Sequence, residues 1–352
     1  MAPLALAGAA VALPALAHLL IHRRLRAPEA PRWGRAHRFA GRRGPVVFQQ
    51  LGSGPALVLL HAFGPGFDGE QWRAVAEELA PRFQIYAPDL PGWGRSAAAA
   101  QRPEVCLDTL AGFLDSVVRE PAVLVAAGDA APYAVQLAAL YPAQVRALAL
   151  VAPAGLTFAA DPDGPAGADA EAPCGGRGAA RLAVAGMLRV PLLRATVLDA
   201  LTSRAALDHS LRTHVYAAAE RVDAALIERL YRRSHLPSHR ETLAAFWRGD
   251  LDLPADAVRE AWRALHGLGT PVWIARGGTP PATKTAGVAS GAAGGAANGT
   301  RDARLDDRPA MEPALEVVYL PGSGSLPHAE EPLAFSRALS GFLDRLPAEG
   351  RS

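Results

Sequence analysis

Along the chain, short fully apolar runs alternate with stretches whose apolar residues recur every three or four positions, and that alternation predicts strands joined by helices. Val46 to Leu51 alternates as a strand, and Gly52-Ser53-Gly54-Pro55 turns into Ala56 to Leu60, five apolar residues of a strand buried on both faces. Gln71 to Leu79 carries a helical period, Gln84 to Ala87 reads as a strand, and Val105 to Arg119 as a helix. Ala122 to Ala126 is again wholly apolar, Ala131 to Tyr141 is helical and stopped by Pro142, and Ala147 to Val151 is the next strand. The strand pattern then ceases until Pro271. Between lie predicted helices over Ala179 to Leu201, Ser203 to Arg221, Val222 to Arg233, Arg240 to Arg248 and Asp256 to Leu265. Pro271 to Ala275 and Glu316 to Tyr319 return to strand, and Pro332 to Leu346 closes the chain as an amphipathic helix.

Two stretches interrupt the pattern without adding to it. Asp161 to Gly178 and Thr283 to Thr300 are Ala- and Gly-rich low-complexity segments with too few large apolar residues for a core. The N-terminus is the opposite case. Leu4 to Ile21 has no charged residue and as a helix would span roughly 27 Å, enough for a thin hydrocarbon layer. The arginines that follow favour a membrane anchor with the main domain on the cytoplasmic side. A cleavable signal peptide is the competing reading, since Ala15-Leu16-Ala17 resembles a cleavage site, and it would make the protein secreted. A helix packed on the domain is a third reading, weakened by the lack of a polar face. The expected organisation is an anchor or signal over 1–27, a basic linker over 28–45, a core over 46–155, a helical insertion over 156–268 and the rest of the core over 269–347.

At 352 residues and 50% hydrophobic content the chain can bury a large core. Its net charge of +2 is uneven: eight arginines between His22 and Arg43 oppose one acid, Glu29. Trp33 and Phe39 are interleaved with them, a composition suited to lipid headgroups. A local basic collar is not a groove-wide field, so no nucleic-acid partner is expected. Cys106 and Cys174 carry no metal or redox spacing. His235 and His239 are four apart with Pro237 between them, and His209 and His214 are five apart, so neither pair suits zinc on one helical face. No glycine loop joins a strand to a helix in a phosphate or dinucleotide fingerprint, and no cofactor is expected.

Three loops resemble those of the α/β-hydrolase superfamily. His61-Ala62-Phe63-Gly64 is similar to its H-G-x-G loop, Asp89-Leu90-Pro91-Gly92-Trp93-Gly94-Arg95-Ser96 matches the loop after its fourth strand, and Gly322 to Pro332 resembles the loop that delivers its histidine. The resemblance implies a mostly parallel central sheet flanked by helices, with a helical cap between Val151 and Pro271, in a bacterial branch that is often membrane-tethered. It also implies a nucleophile elbow after Ala122 to Ala126, where the sequence reads Ala126-Ala127-Gly128-Asp129-Ala130. The nucleophile's place falls on Gly128, the acid's on Pro280 and the histidine's on Ser325. None of the three can act as nucleophile, orienting acid or base in a triad. The backbone donors of an oxyanion hole would be those of Phe63 and Asp129.

Asp129 beside the elbow and His328 three residues past the histidine position are the candidate substitutes, because dehalogenases and epoxide hydrolases of this fold use an aspartate nucleophile. Against them stand a helix-capping aspartate and an ordinary loop histidine. The expectation is a non-catalytic or weakly active, membrane-tethered protein that binds a small apolar molecule beneath the cap, or a partner. The alternative is a hydrolase of small apolar esters, epoxides or halides working through relocated residues.

Overall fold

The wholly apolar runs become inner strands because both of their faces must be covered. The computed structural model describes residues 33–98, 101–156, 179–278 and 315–347. Among these, eight strands join: β1 (Arg35–Gly41), β2 (Gly44–Leu51), β3 (Ala56–Leu60), β4 (Gln84–Pro88), β5 (Ala122–Ala127), β6 (Val145–Val151), β7 (Val272–Gly277) and β8 (Leu315–Leu320). Their spatial order is β1-β2-β4-β3-β5-β6-β7-β8. β2 is antiparallel to β1 and β4, and every other pairing is parallel. Five helices share the chain with the sheet: α1 (Arg73–Leu79), α2 (Pro103–Phe113), α3 (Ala131–Leu140), α4 (Ala179–Arg189) and α5 (Pro191–Leu201) before the middle of the cap. Then come α6 (Arg204–Ser210), α7 (Ala224–Ser234), α8 (Pro237–Arg248), α9 (Ala255–Leu268), the single turn α10 (Pro327–Glu330) and α11 (Pro332–Arg345).

Period-two alternation splits the interior in two. Ala122, Leu124 and Ala126 of β5 face the layer of α2, α3 and α9, while Val123, Val125 and Ala127 face α1 and α11. Burying a side chain such as Leu124 or Leu148 contributes roughly 1.5–3 kcal/mol each, so this double-sided core is the main stabilising feature. The order puts β5 at the centre of the sheet with its C-terminal end open to whatever lies above. That is the general place for ligands in open α/β sheets.

Several expectations need correcting. Residues 35–41 of the presumed linker form β1, where His37 stacks on Phe48 at 5.3 Å and Phe39 meets Phe113 edge-on at 5.9 Å. The interleaved aromatics are therefore core contacts, and the arginines between them line an edge strand, where charge discourages pairing with another chain. Trp33 is also buried and donates from Nε1 to Glu70 at 3.1 Å. α9, counted with the cap, lies along α3 and buries Val258, Ala261 and Leu265 in the core layer. The single helix expected from Ala179 to Leu201 breaks before Pro191, and Pro237 opens α8 instead of only interrupting a helix. Both prolines sit in the first turn, where a missing N–H costs nothing.

The segments 1–27, 161–178 and 283–300 lie outside the described residues, as does Pro280. Among the described residues no helix is long and apolar enough to cross a membrane.

Candidate active site

β5 runs extended to Ala127, and Gly128 then takes φ +53° before a tight turn leads into α3. This left-handed step turns the chain sharply from strand to helix. A Cβ added at Gly128 would lie 3.2 Å from Cβ of Ala62, closer than an ordinary contact. The carbonyl of Gly128 accepts from the Ala154 N–H at 3.1 Å, which fixes the turn against the loop after β6.

Opposite it, the loop after β3 is held by its own histidine. Leu90 N–H donates to His61 Nε2 at 3.1 Å, so the proton sits on Nδ1, which donates to the Ala62 carbonyl at 2.9 Å. Burial lowers the His61 pKa and keeps the ring neutral. Ala62 N–H donates to Gln71 Oε1 at 3.1 Å. His61 is thus a structural tie between two loops.

Past Ala62, the loop after β3 enters a cluster of rings. Phe63 stacks on Trp93 at 5.3 Å and lies 5.6 Å from Tyr133 and 6.3 Å from Phe246 of α8. Trp93 meets His239 edge-on at 4.8 Å, and the Tyr133 hydroxyl donates to the Leu251 carbonyl at 2.5 Å. Burial, with lesser contributions from charges that include Asp129, raises the Tyr133 phenol far above its usual value. The cavity that remains, bordered by Phe63, Trp93, Cys106, Tyr133 and Leu251, measures about 10 Å³. That is at the threshold for one water. Burial pushes the Cys106 thiol up to about 12, so it is inert as a nucleophile.

The loop after β4 is a network built on Asp89. Its carboxylate accepts from Gly69 N–H at 3.0 Å and Arg95 N–H at 2.9 Å. Ser96 Oγ donates to the Asp89 carbonyl at 2.6 Å and accepts from Val47 N–H at 2.9 Å. Gly94, at φ +52°, leaves room for the Asp89 carboxylate 2.5 Å from where a Cβ would be. Beside it, Asp68 accepts from Arg233 of α7 at 2.6 Å, a buried clamp between core and cap.

The loop after β8 is stapled to the cap. Ser325 N–H donates to the Val215 carbonyl at 2.8 Å, and its hydroxyl donates to the His214 carbonyl at 3.2 Å. Glu330 accepts from Gly324 N–H at 2.6 Å and Ala217 N–H at 2.8 Å. His328 is fully buried in α10, stacked on Trp72 at 4.0 Å and 6.0 Å from Phe335. Neither of its ring nitrogens has a hydrogen-bond partner, and burial alone lowers its pKa to about 3.

His328 therefore lies in the α1 and α11 layer, while Asp129 acts electrostatically on Tyr133 in the other layer. No hydrogen bond joins the two candidates. Phe63 stands beside the elbow, and Ser325 stands against the cap. Among the described residues no group of three His, Cys, Asp or Glu could hold a metal ion. His235 binds the Tyr231 carbonyl through Nδ1 at 2.8 Å, and His209 and His214 lie 6.3 Å apart ring to ring. Sequence reasoning missed the ring cluster and the Asp68–Arg233 clamp. Trp93 inside the loop motif was a visible signal for the first, whereas the second joins residues 165 positions apart and left none.

A family model described as alpha/beta hydrolase fold matches residues 55–172. A 2-hydroxymuconate semialdehyde hydrolase of Pseudomonas sp. (strain CF600) is 37% identical over 111 residues, 30% of this chain and 39% of that protein. A pimeloyl-(acyl-carrier protein) methyl ester esterase of Chromobacterium violaceum is 38% identical over 107 residues, 30% of this chain and 40% of that protein. The match spans about two fifths of the length of these curated relatives. Among solved structures, Cfl2 from Burkholderia cenocepacia is similar with a TM-score of 0.62 and 26% identity, covering 89% of this chain and 98% of that one. The haloalkane dehalogenase DatA from Agrobacterium tumefaciens C58 also reaches 0.62, at 17% identity, covering 89% and 97%. With the sheet order and loops above, these likenesses show that the chain has the α/β-hydrolase fold.

Proposed function

We propose that this chain is a non-catalytic or weakly active α/β-hydrolase-fold protein that works by binding, tethered to a membrane through residues 1–27 with its core on the cytoplasmic side. One observation carries the reading: the nucleophile's place is Gly128, tight against Ala62, and the residue after Ala62, Phe63, is locked in a ring cluster whose residual cavity is about 10 Å³. Chemistry needs a nucleophile, a base within ~3 Å of it and room for a substrate. Ser325 at the histidine's place spends its polar groups on the cap, and His328 is held neutral in the core. Space for a small ligand exists to one side, in a groove of about 260 Å³ between α7 and the start of α1, where Phe67, Leu226, Leu230 and Leu326 form an apolar wall opposite charged residues such as Glu70, Arg73 and Arg229.

The second reading, a hydrolase of small apolar esters, epoxides or halides using Asp129 and His328, is favoured by the relatives, whose names are those of a hydrolase, an esterase and a dehalogenase. Turnover of an activated ester, an epoxide and a haloalkane by the purified full chain separates the two. Background rates support binding. Turnover that disappears in Asp129→Asn would overturn it.

A further inference from the structure

The cap presents a surface that neither the core nor any bound molecule explains. On α4, Leu182, Ala183, Gly186 and Met187 are exposed, and Val190 continues the same side into the turn. At 100° per residue these five positions fall on one arc of the helix. The arc carries no charge, and Arg189 stands at its edge. Leu193 extends it onto α5, which packs against α4. The exposures are 73% for Leu182, 40% for Met187, 43% for Val190 and 46% for Leu193. No other helix of the described residues bears more than one exposed large apolar residue.

Single exposed leucines are ordinary, but a helix whose outward side is apolar and whose inward side, Ala185 and Leu188, is also buried has a second partner to meet. Its chemistry narrows that partner. Ala179 to Leu198 contains three arginines and no acid. Two acids of the cap are already engaged, Asp199 with Arg240 at 2.5 Å and Glu241 with Arg194 at 3.2 Å, and the described cation at the edge of the face is Arg189. A second copy on a two-fold axis would set arginine against arginine. The face has no aromatic anchor and one hydroxyl, Thr196, so it lacks the rings and polar pairs of a protein-binding hot spot. Leu, Met and Val bordered by arginine are what an anionic bilayer takes into its headgroup boundary.

We infer that the outward face of α4 and α5 is a membrane-contact surface that seats the cap on anionic lipid. This goes beyond the N-terminal tether and does not require it.

The test uses the full chain with Cys174→Ser and Met187→Cys, labelled at residue 187 with a polarity-sensitive dye, since Cys106 is buried. Vesicles containing phosphatidylserine should shift the dye to the blue, with a several-fold weaker shift on phosphatidylcholine alone. Adding Leu182→Glu and Leu193→Glu should abolish the shift. Flotation with the vesicles is measured in parallel. Floating protein with an unshifted dye would overturn the inference while leaving the tether intact. A salt-sensitive shift that carries flotation and is lost in the glutamate variant would support it even if the tether fails. A blue dye without lipid would also overturn it: dependence on protein concentration would indicate a second copy, and reversal on deleting 157–178 would indicate the chain's own segment.

Discussion

The loop after β4 and the loops after β5 and β8 all resemble the same family, yet they have fared differently. In the first, every polar side chain of the motif has a partner: Asp89 holds Gly69 and Arg95, and Ser96 joins Asp89 to Val47. In the other two, the positions assigned to nucleophile and base are Gly128 and Ser325, and their surroundings are a close alanine and two carbonyls, those of His214 and Val215, at the end of a helical turn of the cap. The difference separates two demands on a motif. Asp89 is buried, so leaving its neighbours' N–H groups unmet would cost stability whatever the protein does. A catalytic serine or histidine stabilises nothing in the folded state, and its loss leaves the backbone path unchanged. On the proposed reading, the motif that folding needs is kept, while the places assigned to chemistry carry side chains that cannot perform it.

The comparison breaks first at the clamp. Arg233 neutralises Asp68, which lies near a second buried carboxylate, Asp89. Arg233→Met should destabilise the protein by about 3–5 kcal/mol at neutral pH, since it strands a buried charge. Burial raises the Asp68 pKa, so the cost should shrink as acid protonates it. Urea unfolding at two pH values measures both. An effect equal at both would mean that Asp68 is solvated in the variant. Phe63→Ala should follow at roughly 3 kcal/mol, a lost ring plus a cavity between Trp93 and Tyr133. The cavity should bind benzene or xenon, seen as a ligand-dependent rise in melting temperature. Loss of stability without binding would mean that the rings collapse inward.

Next comes pH. His328 and His239 are each lowered from 6.5 to about 3 by burial, so the unfolded chain gains their protons first as pH falls. Stability is therefore whole above 6.5 and is lost as pH drops through the interval down to about 3, by ~1.4 kcal/mol per unit for each histidine. His328→Phe keeps a ring against Trp72 and should remove its share of the slope, to which His61 and His235, also lowered by burial, contribute as well. An unchanged slope would show that His328 titrates in the folded protein and so reaches solvent.

Much of this was legible beforehand. Period and composition named every inner strand, most clearly β3 and β5, which are buried on both faces and carry no polar residue to blur the pattern. β1 was missed because Arg35 and Arg38 mask the alternation of an edge strand, where one side faces water. α9 was misplaced since a helix of the core and a helix of the cap have the same period, and only contact with α3 tells them apart. At the site, the residues standing at the assigned triad positions could be read along the chain, but the rings packed around Phe63 come from the loop after β3, the β4 loop, α3 and α8, and no linear pattern joins Phe63 to Phe246.

The smallest effect expected is the attempt to restore chemistry. Gly128→Ser places a hydroxyl where φ is +53°, at the expense of a 3.2 Å approach to Ala62, and a serine without a base attacks slowly. Its rate on an activated ester should stay at background. Ser325→His supplies an imidazole, yet the Ser325 backbone is tied to Val215 and the ring cluster around Phe63 leaves a cavity of only about 10 Å³, so the double variant should exceed the single by less than about tenfold. Adding Phe63→Ala keeps the backbone donor at 63 and opens the ring cluster. If the register is right, that third change should release most of the gain a general base gives, of order 10²-fold. A folded triple variant no faster than Gly128→Ser would mean that the histidine position has been misassigned, and the elbow would then have to be judged on Gly128 alone.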